Sequence, residues 1–348
     1  MEKLCLVTGA CGFSGSYMVN LLLERGYKVR ATDLEKSERG IHTDIVKKEG
    51  VEFIPSDLTK KETLKEVVKD VAYVFHPAAI FSYHQEWEPL YKVNVEGTRN
   101  LCEVLVEEGR VEKFINWSTV GVYGLPKPEY LPIREGYTPE PSNIYEKTKY
   151  EQEKVVLEFC KKDKLPVIII RPSPIYGPGN IYGVAQMWLN FAKIPFFIMP
   201  KNLPYNMPFV HVKDVCNAAL FLAENERRLG QVYNIVDDSN ISTYGFFKLF
   251  SEVSGKKFIT APDVKNLKVM LAIVKAIVKA SVFFLRILSK VIPIPIIIYF
   301  RETALYVTAI YGFSNEKLKS LGYKFLYPTV KDGIKETLSW YREKGMRK

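Results

Sequence analysis

The stretch Leu4-Cys5-Leu6-Val7-Thr8-Gly9-Ala10-Cys11-Gly12-Phe13-Ser14-Gly15 decides how the rest of the chain is read. A short apolar run enters three glycines spaced G-x-x-G-x-x-G, and an amphipathic pattern over 13–25 follows. Strand, glycine turn and helix in that order form a cradle for a pyrophosphate. Gly9 permits a tight turn, Gly12 lets the backbone approach the phosphates, and Gly15 lets helix and strand pack closely. The helix start at Phe13 then turns its free N–H groups toward the negative charge.

Outward from this turn, short apolar runs alternate with helical patterns. Strands are expected over 28–33, 51–55, 72–76, 113–118 and 167–172, and helices over 63–69, 89–108 and 143–162. Buried strands alternating with helices predict an α/β fold with a parallel, doubly wound sheet, its ligand at the carboxyl ends of the strands. From about Gly179 aromatic residues and prolines thicken, with a strand-like 231–236 and a helix over 244–253. The expected division is a dinucleotide-binding domain over 1–178 and a smaller substrate lobe over 179–348, interleaved with the sheet.

The chain has 348 residues, 47% of them hydrophobic and 25% charged, enough for a sizeable core and without the bias of a disordered chain. Five scattered cysteines with no C-x-x-C pair read as reduced thiols, and four distant histidines give no metal-ligand spacing, so no metal is expected. Met1-Glu2-Lys3 leads directly into the first strand, so no signal peptide is expected and the setting is cytoplasmic. The net charge of +10 acquires meaning from its distribution.

Two further features carry chemistry. Asp33 ends the second strand, where a carboxylate accepts hydrogen bonds from an adenosine ribose and repels a 2′-phosphate; this favours NAD over NADP. Tyr145 and Lys149 stand four apart in Asn143-Ile144-Tyr145-Glu146-Lys147-Thr148-Lys149 and share one helical face. An ammonium near a phenol stabilises the phenolate and suits the tyrosine to proton transfer during hydride transfer.

With these residues in place, the chain resembles the extended short-chain dehydrogenase/reductases of the NAD-dependent epimerase/dehydratase superfamily. The matching elements, in order, are the glycine turn, Asp33, Asp57-Leu58, His76-Pro77-Ala78-Ala79 and Asn94-Val95-Glu96-Gly97-Thr98. They continue with Ser118-Thr119, Val122-Tyr123-Gly124, the Tyr145/Lys149 pair, Arg171-Pro172 and Val210-His211-Val212-Lys213-Asp214-Val215. The resemblance implies that Thr119, with Tyr145, holds the reacting oxygen, and that Ser118 is its weaker neighbour. It implies that Asp57 and Leu58 flank an adenine, that Ala78 and Ala79 admit the cofactor backbone, and that Pro172 begins the border of the nicotinamide. Asn94 is read as helix-bending as readily as functional, and His211 as structural. Homodimers through the helices at 89–108 and 143–162 are a further family expectation.

The substrate is read from what is missing. Sugar 4,6-dehydratases carry Asp-Glu after the hydroxyl residue; Val120-Gly121 stand here, so dehydration is set aside. A nucleoside diphosphate needs charge-assisted partners, and Met207 sits where sugar-nucleotide members carry an arginine. Between residues 264 and 300 six cations (Lys265, Lys268, Lys275, Lys279, Arg286, Lys290) and no acid occur. At about 100° per residue the cations fall within roughly 80° of helical arc, the signature of an interfacial helix rather than a span. Such a stripe beside an apolar face suits a duplex poorly, so no nucleic acid partner is expected. A hydrophobic insertion here is similar to that of 3β-hydroxysteroid and sterol-4α-carboxylate 3-dehydrogenases. The expectation is a hydride-transferring enzyme for a steroid-like alcohol, peripheral on a membrane. A UDP-sugar 4-epimerase or reductase is the alternative, and a non-catalytic cofactor-binding scaffold the third reading.

Overall fold

Residues 4–8, 73–76 and 167–172 are almost wholly without solvent contact on either side, the condition of central parallel strands covered by helices. In the computed structural model, which describes residues 3–35, 42–82, 86–263, 265 and 310–346, they form the middle of a seven-stranded sheet. Its strands are β1 (Leu4–Thr8), β2 (Lys28–Thr32), β3 (Val51–Phe53), β4 (Tyr73–His76), β5 (Lys113–Trp117), β6 (Val167–Pro172) and β7 (Gln231–Ile235). The spatial order is β7-β6-β5-β4-β1-β2-β3, every pairing parallel. The chain reverses direction across the sheet between β1 and β4, and loops at that point leave a crevice at the strand ends.

Helices α1 (Phe13–Glu24) and α5 (Val212–Asn225) lie on one face; α2 (Gly97–Glu108) and α3 (Ile144–Asp163) lie on the other. Each face has its own apolar cluster, built from alternate residues of the same strands: Val7, Phe75, Ile115 and Ile168 on one side, Leu6, Val74, Phe114 and Ile169 on the other. Helix α4 (Val184–Lys193), α6 (Thr243–Ser254) and α7 (Val330–Glu343) enclose a separate aromatic cluster around Trp188, Phe209, Phe246 and Phe250. The second half of the chain therefore builds its own small core and also returns β7 to the main sheet.

Two expectations change in detail. The helix expected over 63–69 is a single turn, Lys61–Leu64, followed by turns. The helix expected over 89–108 is interrupted: Trp87–Tyr91 passes through a π turn, Lys92–Glu96, before α2 begins. The basic stretch 264–300 lies, apart from Lys265, outside the described residues. Among the described residues no helix is long and apolar enough to cross a membrane.

Candidate active site

The ends of β1, β4, β5 and β6 open onto a cavity of about 280 Å³ whose wall brings together Phe13, Ala79, Thr119, Tyr145, Lys149 and Pro172. Gly9, Gly12, Asp33, Asp57, Leu58 and Ala78 stand outside that wall, on the turns after β1 to β4, and Gly15 stands outside it in the first turn of α1.

Tyr145 is set by the start of α3. Asn143 caps the helix by accepting from the Glu146 N–H at 2.9 Å, and the Glu146 carboxylate returns the bond to the Asn143 N–H. This reciprocal box fixes the first turn. Phe81 meets the Tyr145 ring edge-on at 4.8 Å and leans on Tyr182 at 5.8 Å. One turn on, Lys149 is 2% exposed. Burial pushes its ammonium down to about 7, with Glu153 pulling the other way. Burial also pushes the Tyr145 phenol up, and Tyr182 and Glu146 add to the effect. The phenol thus stands above its ordinary value, not below it as the helical spacing led one to expect: taking both groups out of water favours their neutral forms.

The neighbouring hydroxyls divide clearly. Ser118 is buried and donates to Glu153 Oε1. That carboxylate is also gripped by Arg171, Nε to Oε1 at 2.8 Å and Nη2 to Oε2 at 2.6 Å. Arg171 continues through the Tyr123 hydroxyl at 2.8 Å to Asn234. Ser118 and Tyr123 thus belong to a buried brace. Thr119 Oγ1 accepts from the Gly121 N–H at 3.1 Å, which leaves its own proton directed elsewhere, and it lines the cavity.

Asn94 takes the helix-bending role. From the π turn its Oδ1 accepts from Ile80 N–H at 2.8 Å, and its Nδ2 donates to Ile80 O and Thr148 Oγ1. It ties the turn after β4 to α3. His76 bridges Thr8 at 2.7 Å and Thr98 at 2.9 Å; burial, with Lys149 nearby, drives it down to about 3, so it is neutral. His211 caps α5 through Nδ1 and stacks on Tyr327 at 3.8 Å; burial holds it near 3. Residues to which the sequence reading gave no role are Phe81 and Tyr182, which frame Tyr145, and Glu146, which shares the wall with Gly121. Only Glu146 had a legible signal, the Asn-x-x-Glu capping pattern.

The residues present fit a dinucleotide. Gly9 has φ +59°, and a Cβ on it would lie 2.8 Å from Ala78 Cα; on Gly15 it would lie 2.0 Å from the Gly9 carbonyl oxygen. The turn is therefore closed to side chains and open to a ligand backbone. Helix α1 begins at Gly12 with no side-chain cap, and Phe13 and Ser14 of its first turn face the cavity, a ready site for phosphate. Asp33 holds the turn by accepting from the Cys11 N–H at 2.9 Å.

A Rossmann sheet, a glycine cradle at its switch point and a tyrosine–lysine pair on the adjoining wall define an enzyme of the extended short-chain dehydrogenase/reductase class. The family described as NAD dependent epimerase/dehydratase matches residues 5–236. Sterol-4-alpha-carboxylate 3-dehydrogenase, decarboxylating, from Bos taurus is 31% identical over 257 residues, 70% of this chain and 68% of that protein. UDP-glucose 4-epimerase from Vibrio cholerae is 26% identical over 252 residues, 70% of this chain and 73% of that one. The crystal structure of gox2253 superposes with a TM-score of 0.79 at 29% identity, covering 100% of both chains. The chain belongs to the NAD dependent epimerase/dehydratase family, and its cofactor is NAD.

Proposed function

We propose that the enzyme interconverts a secondary alcohol and its ketone on a hydrophobic, steroid-like substrate. The observation that carries this reading is the wall of the cavity. Phe81, Tyr182, Val184, Met187, Met207 and Phe209 line it, and Lys149 is its one cation among the described residues. A diphosphate leaves water only for charge-assisted partners, and Met207, 6% exposed, offers none.

NAD, when bound, would supply the hydride acceptor and donor for the carbinol carbon. Gly9, Gly12, Gly15 and the first turn of α1 would hold its phosphates, Asp33 the adenosine ribose, and Asp57, Leu58, Ala78, Ala79 and Pro172 would line the remaining length. Thr119 donates to the substrate oxygen and fixes its direction. Tyr145 exchanges a proton with that oxygen, and Lys149, one turn away, supports the charge that develops on the phenol. Burial holds Tyr145 protonated at rest, the state needed to protonate a ketone.

The second reading is a UDP-sugar 4-epimerase, favoured by the similarity to the Vibrio cholerae enzyme over 70% of the chain. Net NADH formed from a 3β-hydroxysteroid supports the first reading. Interconversion of UDP-glucose and UDP-galactose without net NADH, and no turnover of steroid, refutes it. The basic stretch 264–300 is proposed to rest on an anionic bilayer; flotation with phosphatidylserine vesicles, lost on deleting 264–300, is expected, and absence of flotation of the intact chain contradicts it. Pairing of two copies through α2 and α3 is proposed alongside, with light scattering at a dimer mass the expected result.

A further inference from the structure

Gly121 stands two residues after Thr119 on the cavity wall. A Cβ there would lie 2.8 Å from Glu146 Oε1 and 3.0 and 3.1 Å from its Cγ and Cδ. The missing side chain is what allows the Glu146 carboxylate to stand against the Thr119 turn. Glu146 is 2% exposed, belongs to the same wall and directly follows Tyr145. Its Oε2 accepts from the Ser142 N–H at 2.9 Å, the Ser142 hydroxyl at 2.9 Å and the Asn143 N–H at 3.3 Å. Three donors converging on one oxygen, in the first turn of a 20-residue helix, lock its rotamer. Among the described residues Glu146 and Lys149 are the only charged members of the wall. Glu146 is the one acidic member of that wall among the described residues, so a substrate substituent on its side meets a carboxylate.

We infer that Glu146 sets the charge of the substrate: the cleft takes an uncharged secondary alcohol and rejects one with a carboxylate or phosphate beside the reacting carbon. This rests on the alcohol reading above and narrows it. Like charges held together in a low-dielectric cleft repel strongly, and such repulsion is an economical source of specificity. It also decides the product. Oxidation sends the hydride to nicotinamide and the hydroxyl proton to Tyr145 once the phenol has passed its own proton to the neutral Lys149 amine, and the ketone leaves with its carbon skeleton complete. A carboxylate on the neighbouring carbon would instead yield a β-keto acid, which loses carbon dioxide. Glu146 disfavours that course.

Glu146→Gln removes the charge and retains the cap, since glutamine serves at this position of a capping box as glutamate does. The test is kcat/KM, by NADH formation, for wild type and E146Q. The two substrates are 3β-hydroxysteroids that differ only by a carboxylate on the carbon next to the hydroxyl. Wild type is expected to prefer the neutral steroid by about tenfold or more, and E146Q to move the ratio toward unity by about tenfold, the reach of one screened charge pair. A wild-type preference for the carboxylated steroid, or a ratio that E146Q leaves unchanged, overturns the inference and leaves the alcohol reading standing. Absence of turnover on both steroids overturns the two together.

Discussion

Lys149 is held in the folded protein against its own solvation, and replacing it makes that cost measurable. Its ammonium moves from 10.5 to about 7 on burial. At about 1.4 kcal/mol per unit the displacement corresponds to about 5 kcal/mol of lost stability below neutral pH. Between about 7 and 10.5 the unfolded chain binds a proton at this site that the folded chain has given up. Stability therefore rises with pH across that window, and the full cost is present below it. Lys149→Met removes the site and keeps most of the volume. The released desolvation cost of about 5 kcal/mol is the upper limit of the gain, and imperfect packing of the new side chain takes about 1–3 kcal/mol of it, so K149M is expected to be more stable by about 2–4 kcal/mol at pH 7. The advantage should shrink by up to about 1.4 kcal/mol per pH unit toward pH 10. The assay is urea unfolding of both proteins from pH 6 to pH 10, without added NAD, because a ligand of the native state adds its own stability. Turnover should be lost in the same variant. A K149M protein that is less stable at pH 7, or an advantage that does not change between pH 7 and pH 10, would refute the reasoning.

Two other substitutions probe the frame of the site. Gly15→Ala places a methyl 2.0 Å from the Gly9 carbonyl; the turn must shift, and NAD binding by calorimetry should weaken at least tenfold, with about 1–3 kcal/mol of stability lost. Arg171→Met strands the Glu153 carboxylate, itself 1% exposed and held at 2.6 Å; unfolding should show a loss of about 3–5 kcal/mol.

The frame of the fold was legible because its signals are local. Leu4–Thr8 and Val167–Pro172 are apolar runs of strand length, and their observed limits agree with the sequence reading. The glycine spacing needed only its strand and helix neighbours. The π turn at Lys92–Glu96 was not legible, because it follows from Asn94 reaching Ile80 and Thr148, contacts that are distant in sequence. The parallel pairing of Phe196–Pro200 with Lys257–Ala261 escaped for the same reason. At the site, Tyr145 and Lys149 were found by helical spacing, whereas their protonation was misjudged. Spacing reports that two groups are close, but burial decides which form each adopts. Ser118 and Thr119 are equivalent as letters; only the Glu153–Arg171 pair, brought in from α3 and β6, commits Ser118 and leaves Thr119 to the cavity.

The most direct measurement compares Tyr145→Phe with the wild type. NAD affinity is read by calorimetry, and NADH formation is followed on a neutral 3β-hydroxysteroid. Loss of turnover by at least about a hundredfold with NAD affinity unchanged is the predicted result. A phenylalanine variant that still forms NADH at the wild-type rate would contradict the account.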